Sequence, residues 1–230
     1  MMAGNKEKLV IIGDGETAEI AYEYFTSDTN YEVVAFSAEK KFMKNNALFG
    51  LPVVPFEEVE KIYSPKNYNA FVAISFTQLN RLRTRLYRLT KEKGYTVCSY
   101  VSPKSFIGKN VEIGENCFVF ENVSIQRGVN IGNNVVIWSG AFTGHRSTIK
   151  DNCFLSAHVA LTGFCTVEEN CFLGINSCIV GPVKIAKDTI VGAGAVVLHG
   201  TEEGKIYVGN PAESLPNKSV ERFISNEDAI

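Results

Sequence analysis

The sequence has no long hydrophobic run and no marked excess of charge of either sign. No apolar stretch of the 230-residue chain approaches the ~18 residues of a membrane span. The N-terminus, MMAGNKEKLVIIGDGE, enters a strand-like segment without a cleavable leader. The formal net charge is −2 and no dense basic patch is present, which argues against nucleic acid as the main partner. We therefore expect a soluble, cytoplasmic globular protein of one or two domains with no membrane span.

The sequence also lacks any CxxC pair, although it contains six cysteines. Four of them share one position of a six-residue repeat, where small residues are favoured: Cys117, Cys153, Cys165 and Cys171. Because a buried cysteine packs as a small hydrophobic residue, this pattern predicts inert core thiols rather than disulfides or redox chemistry.

Short apolar runs alternate with helical spacing in the first part of the chain. The runs LVII, VVAF, AFVAI and TVC, which begin at Leu9, Val33, Ala70 and Thr96, predict buried strands. The clearest helix carries four leucines on one face (Leu79, Leu82, Leu86, Leu89) and four arginines elsewhere (Arg81, Arg83, Arg85, Arg88). Alternating strands and helices indicate an α/β, half-Rossmann-like domain over residues 1–98.

A glycine-rich turn follows the first strand. The segment IIGDGETAEIA places Gly13, Gly15 and Ala18 in a GxGxxA turn, where backbone amides can meet a diphosphate. A dinucleotide-dependent oxidoreductase is the competing interpretation, with Glu39 near the expected ribose-binding distance. The domain is too short, however, for the second nucleotide-binding half of such an enzyme.

A six-residue period governs the chain from Val101 to Val197. Units such as IGKNVE and IGENCF carry a large aliphatic residue at position one, a small residue at position five, and often Asn, Gly or Asp at position four. This pattern predicts a parallel β-helix with three units per coil over residues 99–214, followed by a C-terminal tail over 215–230. The period does not give the hand of the coil. One position-one residue is polar, Thr143, and a buried hydroxyl usually requires a polar partner.

These hexapeptides, followed by YVGNPA at residues 207–212, resemble the left-handed β-helix acyltransferases. The whole chain resembles bacterial nucleotide-sugar N-acetyltransferases of the bacillosamine and perosamine type, in the superfamily that includes sialic acid O-acetyltransferases. The resemblance implies a left-handed coil, a homotrimer, acetyl-CoA as co-substrate with no metal, and a nucleotide-diphosphate amino sugar as acceptor in glycan or polysaccharide biosynthesis.

The same resemblance implies a site on the coil. The family's catalytic histidine matches His145, a general base that takes the proton of the attacking amine. Family members follow this histidine with a glutamate, whereas Arg146 follows here, and an adjacent cation favours the neutral imidazole. Gly163, one coil further on, could present its N–H to the thioester carbonyl. The family's coenzyme A contacts match Ile175, Ala193 and, where the family has a histidine, Phe154.

For the α/β domain, the expected nucleotide-sugar contacts lie at strand ends and in the next helix. They are Gly13, Gly15, Glu16 and Thr17 in the first turn, Ser37 and Ser75 at two further strand ends, and Asn80 and Arg81 for charge-assisted contacts.

Three functions remain open at this stage: an N-acyltransferase, an O-acyltransferase acting on a sugar hydroxyl, and a non-catalytic trimeric scaffold. His158 and His199 are expected to be structural or exposed to solvent. A three-histidine zinc site of the carbonic anhydrase type is rejected, because the thirteen residues between His145 and His158 exceed its ligand spacing.

Overall fold

The computed structural model describes residues 6–225. Contacts divide the chain into an α/β unit, formed by the segments up to residue 75 and from 85 to 98, and a β-helix unit, formed by residues 76–84 and the chain from residue 99 onward. A boundary at residue 98 was predicted from the sequence. The division instead assigns the additional segment 76–84 to the β-helix unit.

The α/β unit contains a five-stranded sheet, three α-helices and a short 3-10 helix (Lys40–Phe42) within its described residues. The strands are β1 (Glu7–Ile12), β2 (Tyr31–Ala38), β3 (Ala47–Leu48), β4 (Leu51–Pro55) and β5 (Asn69–Val72), and the helices are α1 (Glu16–Asp28), α2 (Val59–Ile62) and α3 (Arg81–Glu92), which begins in the other unit. The strand order is β3-β4-β2-β1-β5, and all neighbours are parallel except the β3–β4 hairpin.

Three of the four predicted strands are observed as β1, β2 and β5, whereas the TVC run contributes only an isolated bridge between Ala70 and Val97. The hairpin was not predicted. Because the chain builds β2 and β4 on one side of β1 and then returns to place β5 on the other side, the order reverses next to β1. Ligands of open α/β sheets bind at such a reversal, beyond the carboxyl ends of the strands.

The β-helix unit is built from two-residue strands at six-residue intervals, joined by turns. Over residues 100–197 there are seventeen of them, β6–β22: Tyr100–Val101, Phe106–Ile107, Glu112–Ile113, Phe118–Val119, Ser124–Ile125, Asn130–Ile131, Val136–Ile137, Phe142–Thr143, Thr148–Ile149, Phe154–Leu155, Ala160–Leu161, Thr166–Val167, Phe172–Leu173, Cys178–Ile179, Lys184–Ile185, Ile190–Val191 and Val196–Val197. Every strand pairs in parallel with the strand eighteen residues away, for example Ile137 with Leu155.

The strands stack into three parallel faces. The first face contains β6, β9, β12, β15, β18 and β21; the second contains β7, β10, β13, β16, β19 and β22; the third contains β8, β11, β14, β17 and β20. The second residue of each strand is the predicted position-one residue, and from Val119 onward all of these side chains are buried in one continuous core. Thr143 is buried with them.

The corners between faces need a residue with positive φ at position four. Asparagine fills half of these positions, as at Asn116 (φ 52°), Asn134 (φ 58°) and Asn152 (φ 63°), because its short polar side chain tolerates the left-handed region. We name each corner after one of its residues: the Ile175 corner joins the first face to the second, the His145 corner joins the second to the third, and the Asn134 corner joins the third to the first.

An arginine from the helix sequence is buried in the β-helix unit. Arg83 was predicted to lie away from the leucine face of its helix. It is buried, and its guanidinium donates to the side-chain and backbone oxygens of Asn134 at 3.2 Å and to the Cys153 carbonyl at 3.1 Å. Burial lowers the pKa of Arg83 to about 10, so the group remains protonated at neutral pH. Arg83 therefore ties residues 76–84 to two successive coils at the Asn134 corner.

The predicted C-terminal tail is partly regular structure. After β23 (Lys205–Val208), β24 (Glu213–Ser219) pairs with it antiparallel and α4 (Glu221–Ser225) follows, while residues 226–230 lie outside the described part. Within residues 6–225, no helix combines the length and apolarity needed to cross a bilayer. The predicted fold class, an α/β unit with a parallel β-helix of hexapeptide repeats, is confirmed.

Candidate active site

His145 lies exposed at its corner, directly over the next coil. A Cβ placed on Gly163 would come within 2.7 Å of the imidazole Cε1 and 2.9 Å of Nε2. The absence of a side chain at Gly163 therefore makes room for the His145 ring. The side chain of His145 makes no hydrogen bond or ion pair with any residue that the structure describes, so both ring nitrogens are available to a ligand.

Thr143 does not support this imidazole. Its side chain is 0% exposed, faces the coil interior between Ile125 and Leu161, and its Oγ1 has no hydrogen-bond partner within residues 6–225. The expectation that a polar residue at an inward position would have a polar partner is therefore wrong for the described residues. Thr143 points into the coil and His145 lies at the outward corner, so the two side chains are apart.

Two bulky residues adopt the left-handed conformation beside His145. Arg146 (φ 55°) and Phe164 (φ 63°) stand where most corners of the coil have Asn or Gly, and a non-glycine residue in this region costs roughly 1 kcal/mol. The Phe164 ring contacts His145 edge-on, with 5.0 Å between ring centroids, and the Arg146 guanidinium lies 5.7 Å from the same ring. Strain of this kind occurs often at functional sites.

The residues matched to coenzyme A contacts flank the second face. Gly163 belongs to the His145 corner, whereas Ile175 and Ala193 stack one coil apart at the Ile175 corner and are exposed. The backbone N–H groups of Gly163 and Ala193 have no acceptor among the described residues. These amides and the apolar side chains between the two corners suit a ligand with an acyl carbonyl and an extended apolar arm.

Phe154 differs from the other three predicted contacts. Its side chain is 5% exposed. The ring packs against Phe172 and Trp138 of the first face and against Phe76 of the segment 76–84, and Arg83 lies over it. The ring is covered because the first face carries aromatic residues at this outward position in successive coils. We therefore leave Phe154 out of the proposed site.

The glycine turn of the α/β unit has the predicted form. Gly13 has φ 133°, its N–H donates to the Ser37 carbonyl at 2.7 Å, and a Cβ there would lie 2.6 Å from the Ala73 carbonyl oxygen. Gly15 is the N-cap of α1, and Glu16 and Thr17 occupy its first turn. The turn and Ala73, at the end of β5, thus lie beside the reversal in strand order.

The remaining predicted nucleotide-sugar residues do not form one cluster. Ser37 is buried with an unpaired Oγ near the end of β2, and Ser75 is partly exposed beyond β5. Asn80 is buried in the β-helix unit, where its Nδ2 donates to the Cys171 carbonyl at 3.3 Å, and Arg81 forms an ion pair with Asp188. Because Asn80 Nδ2 and Arg81 Nη2 are engaged by residues of the coil, we leave Asn80 and Arg81 out of the proposed site.

The other histidines and the thiols behave differently from His145. His158 is a position-four residue (φ 57°) at the Ile175 corner, away from the His145 corner, and His199 is exposed after the last repeat. Across residues 6–225 no cluster of three His, Cys, Asp or Glu side chains is placed to hold a metal. The six cysteines are unpaired thiols, and burial raises the pKa of Cys117 to about 11.

A pocket of about 570 Å³ opens at the His145 corner and includes residues that the sequence argument missed. It is lined by Asn110, Arg127, Gly128, His145, Arg146 and Phe164. Stepping eighteen residues back from His145 gives Arg127, and stepping eighteen forward from Arg146 gives Phe164. The coil period alone could therefore have placed Arg127 and Phe164 beside the histidine.

Comparison with known proteins agrees with this architecture. The family profile described as bacterial transferase hexapeptide (six repeats) matches residues 110–145 and 164–199. These two segments carry six-residue repeats similar to those of bacterial transferases. A search of curated protein sequences gives no match.

Several solved structures share the fold of this hexapeptide-repeat protein over nearly its whole length. A variant of perosamine N-acetyltransferase from Caulobacter crescentus, in complex with CoA and GDP-perosamine, is 29% identical with a TM-score of 0.82, covering 91% of this chain and 97% of that one. The acetyltransferase domain of PglB from Neisseria gonorrhoeae is 23% identical with a TM-score of 0.83, over 91% and 100% of the two chains. WeeI from Acinetobacter baumannii is 22% identical with a TM-score of 0.77, over 90% and 99%. The resemblance drawn from the repeats is confirmed.

Proposed function

We propose that this protein transfers the acetyl group of acetyl-CoA to the amine of a nucleotide-linked amino sugar in bacterial polysaccharide biosynthesis. The observation that carries the proposal is the exposed His145 imidazole, seated over Gly163 beside a backbone N–H that has no acceptor among the described residues. The similarity to perosamine N-acetyltransferase, solved with CoA and GDP-perosamine, supports the substrate classes.

The chemistry follows from these groups. Acetyl-CoA, when bound, supplies an activated thioester. His145 accepts the proton that the sugar amine releases as its nitrogen bonds to the acetyl carbon, and returns a proton to the sulfur when the carbon–sulfur bond breaks. The Gly163 N–H stabilises the charge that develops on the acetyl oxygen. Ile175 and Ala193 provide apolar contact for the arm of the coenzyme.

The α/β unit holds the nucleotide sugar in this proposal. Backbone amides at Gly15 and the start of α1 face the diphosphate, because helix N-termini favour anions. Gly13, whose N–H donates to the Ser37 carbonyl, provides the tight turn beside them. Glu16 is itself acidic, so its carboxylate suits hydroxyl or amine groups of the sugar better than phosphate. Thr17, Ser37 and Ser75 complete the proposed set.

A homotrimer is part of the proposal. The second face exposes large apolar side chains, including Phe106 (58% exposed) and Phe142 (40%), and its two edges carry the proposed base and the coenzyme contacts. Apolar surface of this kind is typical of interfaces between subunits. Light scattering should give three times the mass of the 25.3 kDa chain, and a monomer would contradict this part.

We place the reaction in the cytoplasm, the compartment in which thiols stay reduced.

The test is a turnover assay with acetyl-CoA and a panel of nucleotide-linked amino sugars, following release of free thiol. We expect His145→Ala to lower kcat by roughly 10²–10⁴-fold while leaving CoA affinity nearly unchanged. His199→Ala, which removes an exposed histidine outside the corner, is the matched control and should keep full activity. Near-normal turnover by His145→Ala would remove the histidine from the mechanism.

Acceptor chemistry is decided by the same panel. Arg146 stands where the resemblance leads us to expect an acidic neighbour of His145, and this departure leaves an O-acetyltransferase as the second candidate. Turnover on hydroxyl acceptors with none on amines would select that function, whereas turnover on neither would contradict both.

A further inference from the structure

The pocket at the His145 corner has a strongly one-sided charge. Its lining includes Arg127 and Arg146 but no acidic residue. Both arginines are exposed, and neither forms an ion pair with a carboxylate of the described residues. By contrast, Arg81 pairs with Asp188 and Arg85 with Glu39. The volume of the pocket, about 570 Å³, lies within the range of small-molecule sites.

The two guanidinium groups come from adjacent coils. The Arg146 N–H donates to the Arg127 carbonyl at 3.1 Å, which fixes the two backbones side by side. The stem of Arg146 runs along Gly128, where a Cβ would lie 3.7 Å from Arg146 Cγ. Arg127 is also one coil from His145 at the same repeat position, and strands stack at ~4.8 Å. Both arginines are therefore neighbours of the proposed base.

The conformation of Arg146 indicates that its position is functional. The coil needs a left-handed residue at this point, which asparagine or glycine supplies at ten of the fourteen such positions, yet an arginine adopts it at φ 55°. The Phe164 ring, also at a strained position, packs against both Arg146 and His145. Arginine at this left-handed position costs backbone energy that asparagine would avoid. We therefore expect the Arg146 side chain to have a function beyond closing the corner.

Resting on the proposed function, we infer that Arg127 and Arg146 bind a carboxylate carried by the acceptor sugar itself, so that the substrate class is a nucleotide-linked amino sugar acid. Guanidinium forks match carboxylate oxygens with paired, charge-assisted hydrogen bonds. The diphosphate is assigned to the Gly13–Gly15 turn, which leaves an anion on the sugar ring as the group for this corner. A bound carboxylate also supplies, from the substrate, the negative charge that Arg146 removes from beside His145.

The experiment compares two acceptors that differ only at one ring carbon, which bears either a carboxylate or a neutral hydroxymethyl group. With acetyl-CoA in excess, we expect kcat/KM to favour the carboxylate by roughly 10–100-fold. Arg127→Ala and Arg146→Ala should each remove most of this preference, chiefly through KM of the acidic acceptor. The Lys variants, which keep the charge but lose the fork, should recover part of it.

Arg222→Ala is the matched control, because Arg222 also lies over a phenylalanine ring, at 4.8 Å from the centroid of Phe223. It should leave the preference unchanged. Equal turnover of the two acceptors, with equal sensitivity of both to the arginine variants, would assign the guanidinium groups to the diphosphate and overturn the inference. A rise in KM for acetyl-CoA alone would overturn it as well.

Failure of the proposed function is a separate result. If wild-type protein acetylates neither acceptor, the transfer reaction is wrong, and calorimetry with the acidic nucleotide sugar then tests the corner directly. Tighter binding to wild type than to Arg127→Ala and Arg146→Ala supports the anion subsite, and equal dissociation constants overturn it.

Discussion

Replacing Thr143 with valine should stabilise the protein without affecting catalysis. The Thr143 Oγ1 is buried and has no hydrogen-bond partner among the described residues, while the adjacent core residues in its stack are Ile125 and Leu161. A buried polar group left unpaired costs about 1–3 kcal/mol. Valine has nearly the same shape and replaces the hydroxyl with a methyl group, so we expect the free energy of unfolding to rise by about 1–2 kcal/mol per chain.

The assay is thermal and urea unfolding at one fixed protein concentration, because assembly makes apparent stability depend on concentration. For a chain of this size, 1 kcal/mol shifts Tm by about 2–4 °C. The matched control is Ser147→Ala. Ser147 is also buried inside the coil, but its hydroxyl donates to the Thr162 carbonyl and accepts from the Cys165 N–H, both at 3.1 Å. Its loss should therefore destabilise the protein.

Two results would refute this reasoning. If Thr143→Val lowers Tm, the hydroxyl has a partner in the folded state and the threonine belongs to the coil's own polar contacts. If the variant keeps its Tm but loses kcat severalfold, the hydroxyl acts on the site from inside the coil. The opposite signs expected for Thr143→Val and Ser147→Ala make the comparison independent of any general effect of removing a hydroxyl.

Four further predictions concern the corners and the core. Gly163→Ala should lower kcat at least tenfold with little change in Tm, because the new Cβ would lie within 3.0 Å of three imidazole atoms and the exposed ring can move away; Gly200→Ala, whose Cβ would meet nothing closer than 3.5 Å, should be neutral. Arg83→Ala should lower the free energy of unfolding in urea by about 3 kcal/mol or more, whereas Arg85→Ala, which breaks an exposed pair with Glu39, should cost at most about 1 kcal/mol. Mass spectrometry of the intact protein without reductant should show no loss of two hydrogens, because the cysteines are free thiols and form no disulfide. Because burial raises the pKa of Cys117 to about 11 from 9.0, stability measured by urea unfolding should fall as pH rises through this interval, where only the unfolded thiol ionises; a pH-independent midpoint would contradict this.

The repeat could be predicted from the sequence almost residue by residue. Each position-one residue from Val101 to Val197 became the second residue of a strand, because a period of six fixes both the inward direction and the corner. The core is incomplete only in the first coil, where Ile107 remains 38% exposed. A local pattern succeeded here because each unit contacts only its neighbours in the stack.

The sequence argument failed where the deciding contact is distant in the chain. Arg83 has helical spacing among polar residues, and nothing local distinguishes it from the exposed Arg85. Its burial depends on carbonyl oxygens 51 and 70 residues away. The same limit explains why Asn80 was expected to bind a nucleotide, although its amide is used by a carbonyl of the coil 91 residues further on.

The corner geometry explains how outward residues of the coil can vary without loss of fold. Position one is inward and sets the stability of the coil, whereas positions three and four are outward and need only the correct backbone conformation. Arg146 meets this requirement at φ 55°, at a backbone cost of about 1 kcal/mol. His145 in turn depends on Gly163 in the next coil rather than on its own strand. Substrate preference and stability are therefore encoded at different positions of the same six-residue unit, and variants at Arg127 and Arg146 should change acceptor choice while leaving Tm within about 2 °C of wild type.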